Sequence, residues 1–278
     1  MVPHRLLWGQ QQAGCGDSPG RMAGRGTRFP RDVVRNEAHL PAPELSPAYA
    51  HLVLRIIDAR TGEPTEIRPG LVRVHAHVAG ADTSALRVLL VADVLARALE
   101  LGGTPVVTVA DPPTELRARA DALGIRPAEP DAPGVGRALH VAPATGPADG
   151  VHIEVAPATG PADTDAPPSA VRLALLARPR RQPVDLDTTA LTEAGDTLLR
   201  WRKAVAAWAT HPSRPIPERV RQELRAAWED DLDVPAVLEV LRCVESAKDI
   251  PDGACFETYA YADRLLGLDL TREIGGRA

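Results

Sequence analysis

The stretch "LVRVHAHVAGADTSALRVLLVADVLARALELGGTPVVTVAD", Leu71 to Asp111, constrains the fold more than any other. Val72, Val74 and Ala76 alternate as one face of a strand. From Ser84 to Leu101, Leu86, Leu89, Leu90, Val94 and Leu101 recur mostly at i+3/i+4 spacing, which predicts a helix. Thr83 or Ser84 can cap its start by accepting backbone N–H bonds, and Gly102-Gly103 ends it. "TPVVTVAD" then reads as a buried strand. Strand, helix, strand in this order requires parallel pairing with a right-handed crossover. The fold class this predicts is α/β of Rossmann type. The loop of such a unit commonly receives a nucleotide. Here the loop, Val78 to Ala85, has no lysine, no histidine and one acid, Asp82. What remains is the row of N–H groups over Thr83–Leu86, a generic anion site.

Around this unit the chain divides by composition. Residues 1–48 are rich in Gly, Arg, Gln and Pro without periodicity and read as a disordered tail. Order begins where Leu52, Leu54 and Ile56 alternate before a turn at Gly62 and Pro64. "TELRARADALGI" is a short helix closed by Gly124. Arg126 to Pro168 shifts to Ala, Pro, Gly and Asp and reads as loop-rich. It holds a direct repeat, "VAPATGPAD", at Val141–Asp149 and again at Val155–Asp163. Between the copies "GVHIEV" reads as a strand.

From Ser169 the pattern is helical. "SAVRLALLARP" ends before Pro179, and Leu191, Leu198, Trp201, Val205 and Trp208 make one stripe. Pro217 opens a helix with Val220, Leu224 and Trp228 inward, and Pro235 opens another. "FETYAYADRLLG" is the last, closed by Gly267. Helices joined by short loops predict an all-α bundle. The domains expected are thus 49–178, a shortened Rossmann-like part, and 179–278, a helical bundle. Cys243 lies on a helix near Val244 and is expected in the core.

Charge and cysteine content narrow the function. A net charge of −5 argues against a wholly basic nucleic-acid-binding surface. The helical part, 190–278, carries more acids than bases. Arg200, Arg202, Lys203, Arg219, Arg221 and Arg225 either cluster on one face or are a solvated helix surface. Three cysteines, Cys15, Cys243 and Cys255, have no ligand spacing; an odd count without a secretory signal predicts a reducing cytoplasm. No run approaches the roughly 20 apolar residues of a membrane span, so no membrane partner is expected.

Several stretches, in order, resemble cysteinyl-tRNA synthetase. "VRVHAH…LRVLLVADVLARALELGG" is similar to that family's strand and HIGH-motif helix. "TPVVTVADPPTELRARADALGI" is similar to its "TDVDD" region, and "GVHIEV" to its "GWHIEC". "VRLALLARPRRQPVDLDTTALTEAGDTLLRWRKAV" and "LRAAWEDDLDVPAVLEVL" resemble its later helices. Asp230-Asp231-Leu232-Asp233-Val234-Pro235 is the most specific of these. The sister family, the cysteine ligase of mycothiol synthesis, shares most of the motifs and is the nearest rival.

The resemblance implies a class I catalytic domain, a tRNA-contacting bundle, ATP, cysteine and a zinc ion. The zinc ligands do not carry over. His77 stands at the first cysteine position, Val155 at the second, and the "HHEN" stretch has no counterpart. Zinc is therefore expected to be lost. The HIGH motif aligns with Asp82-Thr83-Ser84-Ala85, and no "KMSKS" loop exists, since Lys203 and Lys248 are the chain's only lysines. Asp111 matches the first Asp of "TDVDD". Asp82, Thr83, Ser84 and Asp111 are thus the candidate ATP-binding residues at family positions, with no catalytic residue assigned. Three functions follow as alternatives. One is an impaired cysteinyl-tRNA synthetase relative that binds tRNA or a synthetase. Another is an ATP-dependent cysteine ligase acting on a small amine or carrier. The third is a decayed gene product.

Overall fold

The computed structural model describes residues 53–131, 134–143, 149–160 and 164–275. The chain divides into Met1–Ala48 and a second, compact unit, Tyr49–Ala278. The disordered tail expected over 1–48, like Leu52 of the first alternating run, lies outside the described residues.

A two-stranded antiparallel hairpin, β1 (Leu54–Ile57) and β2 (Pro64–Ile67), opens the second unit. Four parallel strands follow: β3 (Val72–Ala76), β4 (Val106–Val109), β5 (Arg137–Ala142) and β6 (Val151–Glu154). Their order across the sheet is β4-β3-β5-β6. Helix α1 (Thr83–Leu101) carries the chain from β3 to β4 on one side. Helix α2 (Thr114–Ala122) packs beside α1, and the segment after it returns the chain past β3 to β5. The carboxyl ends of β3 and β5 are therefore where the winding reverses, the place where open α/β sheets form their crevice. A second pair of short parallel strands, β7 (Ala158–Thr159) and β8 (Val184–Asp185), flanks this edge.

The β-α-β order holds, with α1 within a residue of its expected start; β4 is two residues shorter at each end than "TPVVTVAD" and half-buried, not buried. Val72, Val74 and Ala76 are buried under α1, as their alternation requires. Strand β5 was not expected, because it lies in the stretch read as loop-rich. Leu139 and Val141 alternate there as core residues, but Ala, Gly and Pro on either side hide the pattern. The α1 cap also differs. Asp82, with extended backbone, accepts the Ala85 N–H at 2.7 Å, in place of Thr83 or Ser84. A carboxylate is the better acceptor at a helix's positive end.

The helices that follow are α3 (Pro168–Leu176), α4 (Thr188–Trp208), α5 (Glu218–Glu229), α6 (Val234–Ser246) and α7 (Asp252–Leu266). The last starts at Asp252, earlier than the Phe256 expected from its periodicity, because Pro251 precedes a helical turn that carries the buried Ala254 and Cys255. α1 packs against the sheet and also against α7, so it is buried nearly all round. That explains its near-continuous apolar sequence.

A buried ion network fastens these layers. Asp93 on α1 accepts Arg172 Nη2 of α3 at 2.8 Å, Arg97 Nε at 2.9 Å and Arg126 Nε at 2.9 Å. Arg172, fully buried, also donates to the carbonyls of Leu266 and Leu123. A second tie joins Arg180 to the Asp231 carboxylate and the Glu154 carbonyl. Asp231 and Leu232 hold positive φ of 55° and 57°, and Asp233 caps α6. The acidic stretch is thus a turn, cap and tether. No helix among the described residues is long and apolar enough to cross a membrane.

Candidate functional site

The start of α1 lies at the carboxyl edge of the sheet, where a ligand site was expected. Its polar groups are engaged by the chain itself. The Ser84 hydroxyl donates to the Ala158 carbonyl and accepts the Ala158 N–H, each at 3.0 Å. Thr83 Oγ1 donates to the Gly160 carbonyl at 3.4 Å. One turn further, the buried Arg87 donates to the carbonyls of Ala156 at 2.8 Å, Gln182 at 2.6 Å and Pro179 at 2.9 Å. No carboxylate faces Arg87 among its hydrogen-bond partners, and burial lowers its pKa to about 10. The segment after β6, 155–160, is therefore a strap held across the first turns of α1. Paired with β8, it closes off the groups that a phosphate would use.

Asp111, the fourth candidate, follows β4 and is mostly exposed, with Arg117 Nη2 at 3.4 Å. Asp82, Thr83 and Ser84 come together only as neighbours in sequence, and their partners are Ala85 N–H and the strap. A triphosphate here would face the Asp82 carboxylate at the helix start, so the residues present do not fit that group. The zinc donor set does not fit either. Val155 is aliphatic and buried, and His77 Nε2 is bonded to His140 Nδ1 at 2.9 Å. Among the described residues no group of three or more His, Cys, Asp or Glu is arranged to hold a metal.

At the β3–β5 reversal the sequence reading missed the main feature. His75, His140 and His152 stand opposite one another on β3, β5 and β6, so they share one face of the sheet. His77, two residues on from His75, joins them. The rings stack at centroid distances of 5.1 Å for His75–His140, 5.1 Å for His77–His140 and 5.2 Å for His140–His152. His140 and His152 are buried. His140 Nε2 has only Asp149 Oδ1 near it, at 3.7 Å. Burial, with His77 beside it, pushes His140 down to about 4. Burial also lowers His75, helped by Arg73 and His77, and lowers His77, helped by His152. The pair His75 and His77 was visible as one strand face. His140 was not, because its strand was hidden.

Gly150 sets the spacing of this array. With φ at +71°, a Cβ there would lie 2.5 Å from the Ala138 carbonyl oxygen and 3.0 Å from His140 Cδ2. Gly150→Ala should cost about 2 kcal/mol through backbone strain and displacement of β5. A urea unfolding midpoint equal to that of the parent would refute this.

Other expectations resolve as surface features. Cys243 is exposed, not core: it falls on the outer side of α6, whose inner stripe is Val237, Leu241 and Val244. Arg219, Arg221 and Arg225 pair with Glu223, Glu218 and Glu229 on their own helix, and Arg200 with Glu245. These are solvated helix pairs worth little individually. An open groove of about 830 Å³ is lined in part by Arg178, Gln182, Asp185, Glu193 and Thr197.

Comparison with known proteins gives a consistent direction. No family model matches the chain. The curated proteins it resembles include the L-cysteine:1D-myo-inositol 2-amino-2-deoxy-alpha-D-glucopyranoside ligase of Streptomyces griseus, 38% identical over 107 residues, 37% of this chain and 25% of the relative. The protein of the same name from Streptosporangium roseum is 43% identical over 77 residues, 28% of this chain and 18% of the relative. That from Thermobispora bispora is 37% identical over 106 residues, 38% of this chain and 25% of the relative. The sister family, not the tRNA synthetase, is therefore what these comparisons bring forward. The matches span at most about a quarter of these relatives' length, and over that part the chain is similar to cysteine ligases of the aminosugar type.

Proposed function

We propose that this chain is a shortened cysteine-ligase-like protein whose reaction class is the ATP-dependent joining of cysteine to a small amine. The observation that carries this is the agreement of the curated relatives on one name, a ligase joining L-cysteine to an aminosugar. The four-stranded parallel sheet supports the reading, as does the αβ unit it shares with the sequence motifs quoted above. On this view 49–178 is the remnant of a catalytic domain and 179–278 is the accompanying helical bundle. The acceptor is a small amine and not tRNA.

The start of α1 favours a second reading. Asp82 occupies the helix terminus and the strap occupies Thr83 and Ser84. A site so filled suits a protein that acts by binding tRNA, a synthetase or another partner. Its ATP chemistry would then be lost. Electrostatic stabilisation of a transferring group is typically worth several kcal/mol, so its loss lowers the rate by orders of magnitude.

Cysteine-dependent ATP–pyrophosphate exchange on the full chain separates the two. On the ligase reading, exchange rises above the no-enzyme background, and a glucosaminyl-inositol acceptor yields a cysteinyl amide by mass spectrometry. Exchange at background from folded protein overturns that reading and leaves the binding one.

A further inference from the structure

We propose that the histidine array is a proton-operated latch that holds β6, and through it the strap, against α1. The inference does not rest on the ligase reading. His152 sits on β6 only three residues before Val155, where the strap begins. β6 pairs with β5 alone within its sheet, so it is an edge strand. β6 is held by its backbone ladder to β5, by the buried Val151 and Ile153, by the Ala59 N–H donated to the His152 carbonyl, and by the stack of imidazoles across the ladder. The stack is neutral. His77 and His140 are joined by a single N–H···N bond, which needs one ring as donor and the other as acceptor. Two imidazolium rings cannot make that bond.

Protonation turns the stack against itself. Rings 5.1 to 5.2 Å apart become like charges on a half-buried surface. Among the described residues, the charged groups near the array offset this only in part. β3 adds Arg73, a further positive charge, and β4 presents only Val107 and Val109 on that face. The β5–β6 turn supplies Asp149, with its carboxylate at 3.7 Å from His140. Glu154 on β6 is exposed. Asp58, after β1, spends its carboxylate on the N–H groups of His152 and Arg60, and Arg60 itself donates to the Gly150 carbonyl. Among the described residues, Asp149 and the already engaged Asp58 are the near carboxylates set against four imidazoles.

The direction follows from the lowered pKa values. In the closed array His75, His77 and His140 bind protons more weakly than when opened to solvent, where an imidazole titrates near 6.5. The closed form is therefore fully favoured above about pH 6.5 and loses ground as pH falls toward 4. For His140 alone, a drop from 6.5 to about 4 weakens closure about thirtyfold at pH 5. Opening frees Val155–Gly160 from Thr83, Ser84 and Arg87, and so uncovers the first turns of α1.

The test is amide hydrogen exchange of the full chain, with a chelator present, between pH 7.5 and 5. Rates are divided by the intrinsic rate at each pH. Protection of β6 and the strap should fall at least tenfold more than protection of β3. His140→Gln should remove most of that difference. Because this variant can lose structure, the imidazole titrations of the unmodified protein serve as a second measurement. His75, His77 and His140 should all titrate below 6.5, in overlapping steps. Uniform protection across the sheet at pH 5, or three independent midpoints near 6.5, would overturn the latch.

Discussion

Asp93→Ala is expected to lose about 3–5 kcal/mol of unfolding free energy, the largest effect of any single change considered. The reason is the number of charges that depend on this carboxylate. Arg172, Arg97 and Arg126 all donate to it, from 2.8 to 2.9 Å. Burial alone would push the Asp93 pKa up, but Arg172 and Arg97 outweigh it and hold the carboxyl below its ordinary value. Removing the carboxylate leaves the Arg172 guanidinium buried with backbone carbonyls as its only remaining acceptors. A single domain of this size has only about 5–15 kcal/mol in total, so the loss is a large share. The linkage has a definite sign. A carboxyl with a lowered folded pKa stabilises above its unfolded value, and that contribution fades as pH falls below about 4. Asp93→Ala should therefore be most destabilised at neutral pH and converge on the parent in acid. Denaturant unfolding at pH 7 and pH 3 checks both statements. A loss below about 1 kcal/mol at pH 7 would show that the network is not what fastens α1 to α3.

Gly253→Ala should cost about 3 kcal/mol, for a steric reason. Gly253 lies in the first turn of α7, where any residue can adopt the backbone. A Cβ there would stand 2.0 Å from the Pro212 carbonyl oxygen and 3.2 Å from the Arg214 N. Both are backbone atoms, so no side chain can swing aside. Either α7 moves or the 212–214 loop does. Both choices disturb Cys255 and Tyr259, which are buried two and six residues on. The Tyr259 hydroxyl donates to the Leu241 carbonyl of α6 at 2.8 Å, and its ring meets Trp201 and Trp208 edge-on. Tryptophan fluorescence should therefore change together with the thermal midpoint. A variant with the parent's midpoint and spectrum would mean that the loop yields freely.

The parts of this fold legible in the sequence were those with strong periodicity. Val72–Ala76, Leu86–Leu101 and the stripe Leu191, Leu198, Trp201, Val205 each bury the face that their spacing names. Trp208, at the end of that stripe, is only partly buried. Strand β5 escaped because a six-residue strand flanked by Gly, Ala and Pro carries too little pattern. With β5 unseen, the strand order was unseen, and so was the alignment of His140 with His75 and His152. No single-sequence rule sets His140 beside His75, 65 positions earlier, unless the pairing is known. The engagement of Thr83 and Ser84 was equally hidden. It depends on the strap lying across them, a tertiary fact. The chemistry of the candidate site was legible as loss, since missing lysines and cysteines are plain. What filled the space was not.

The two copies of "VAPATGPAD" begin in different structures despite their identical sequence. The first begins inside β5, with Val141 and Ala142; the second begins after β6 and supplies β7 with Ala158 and Thr159. Both leave the carboxyl ends of neighbouring strands. A recombination event between the copies would excise one of them together with β6 and join β5 straight to β7, with no foreign residue at the seam. The repeat is thus a seam at which this sheet could lose its edge strand without a foreign residue entering the chain.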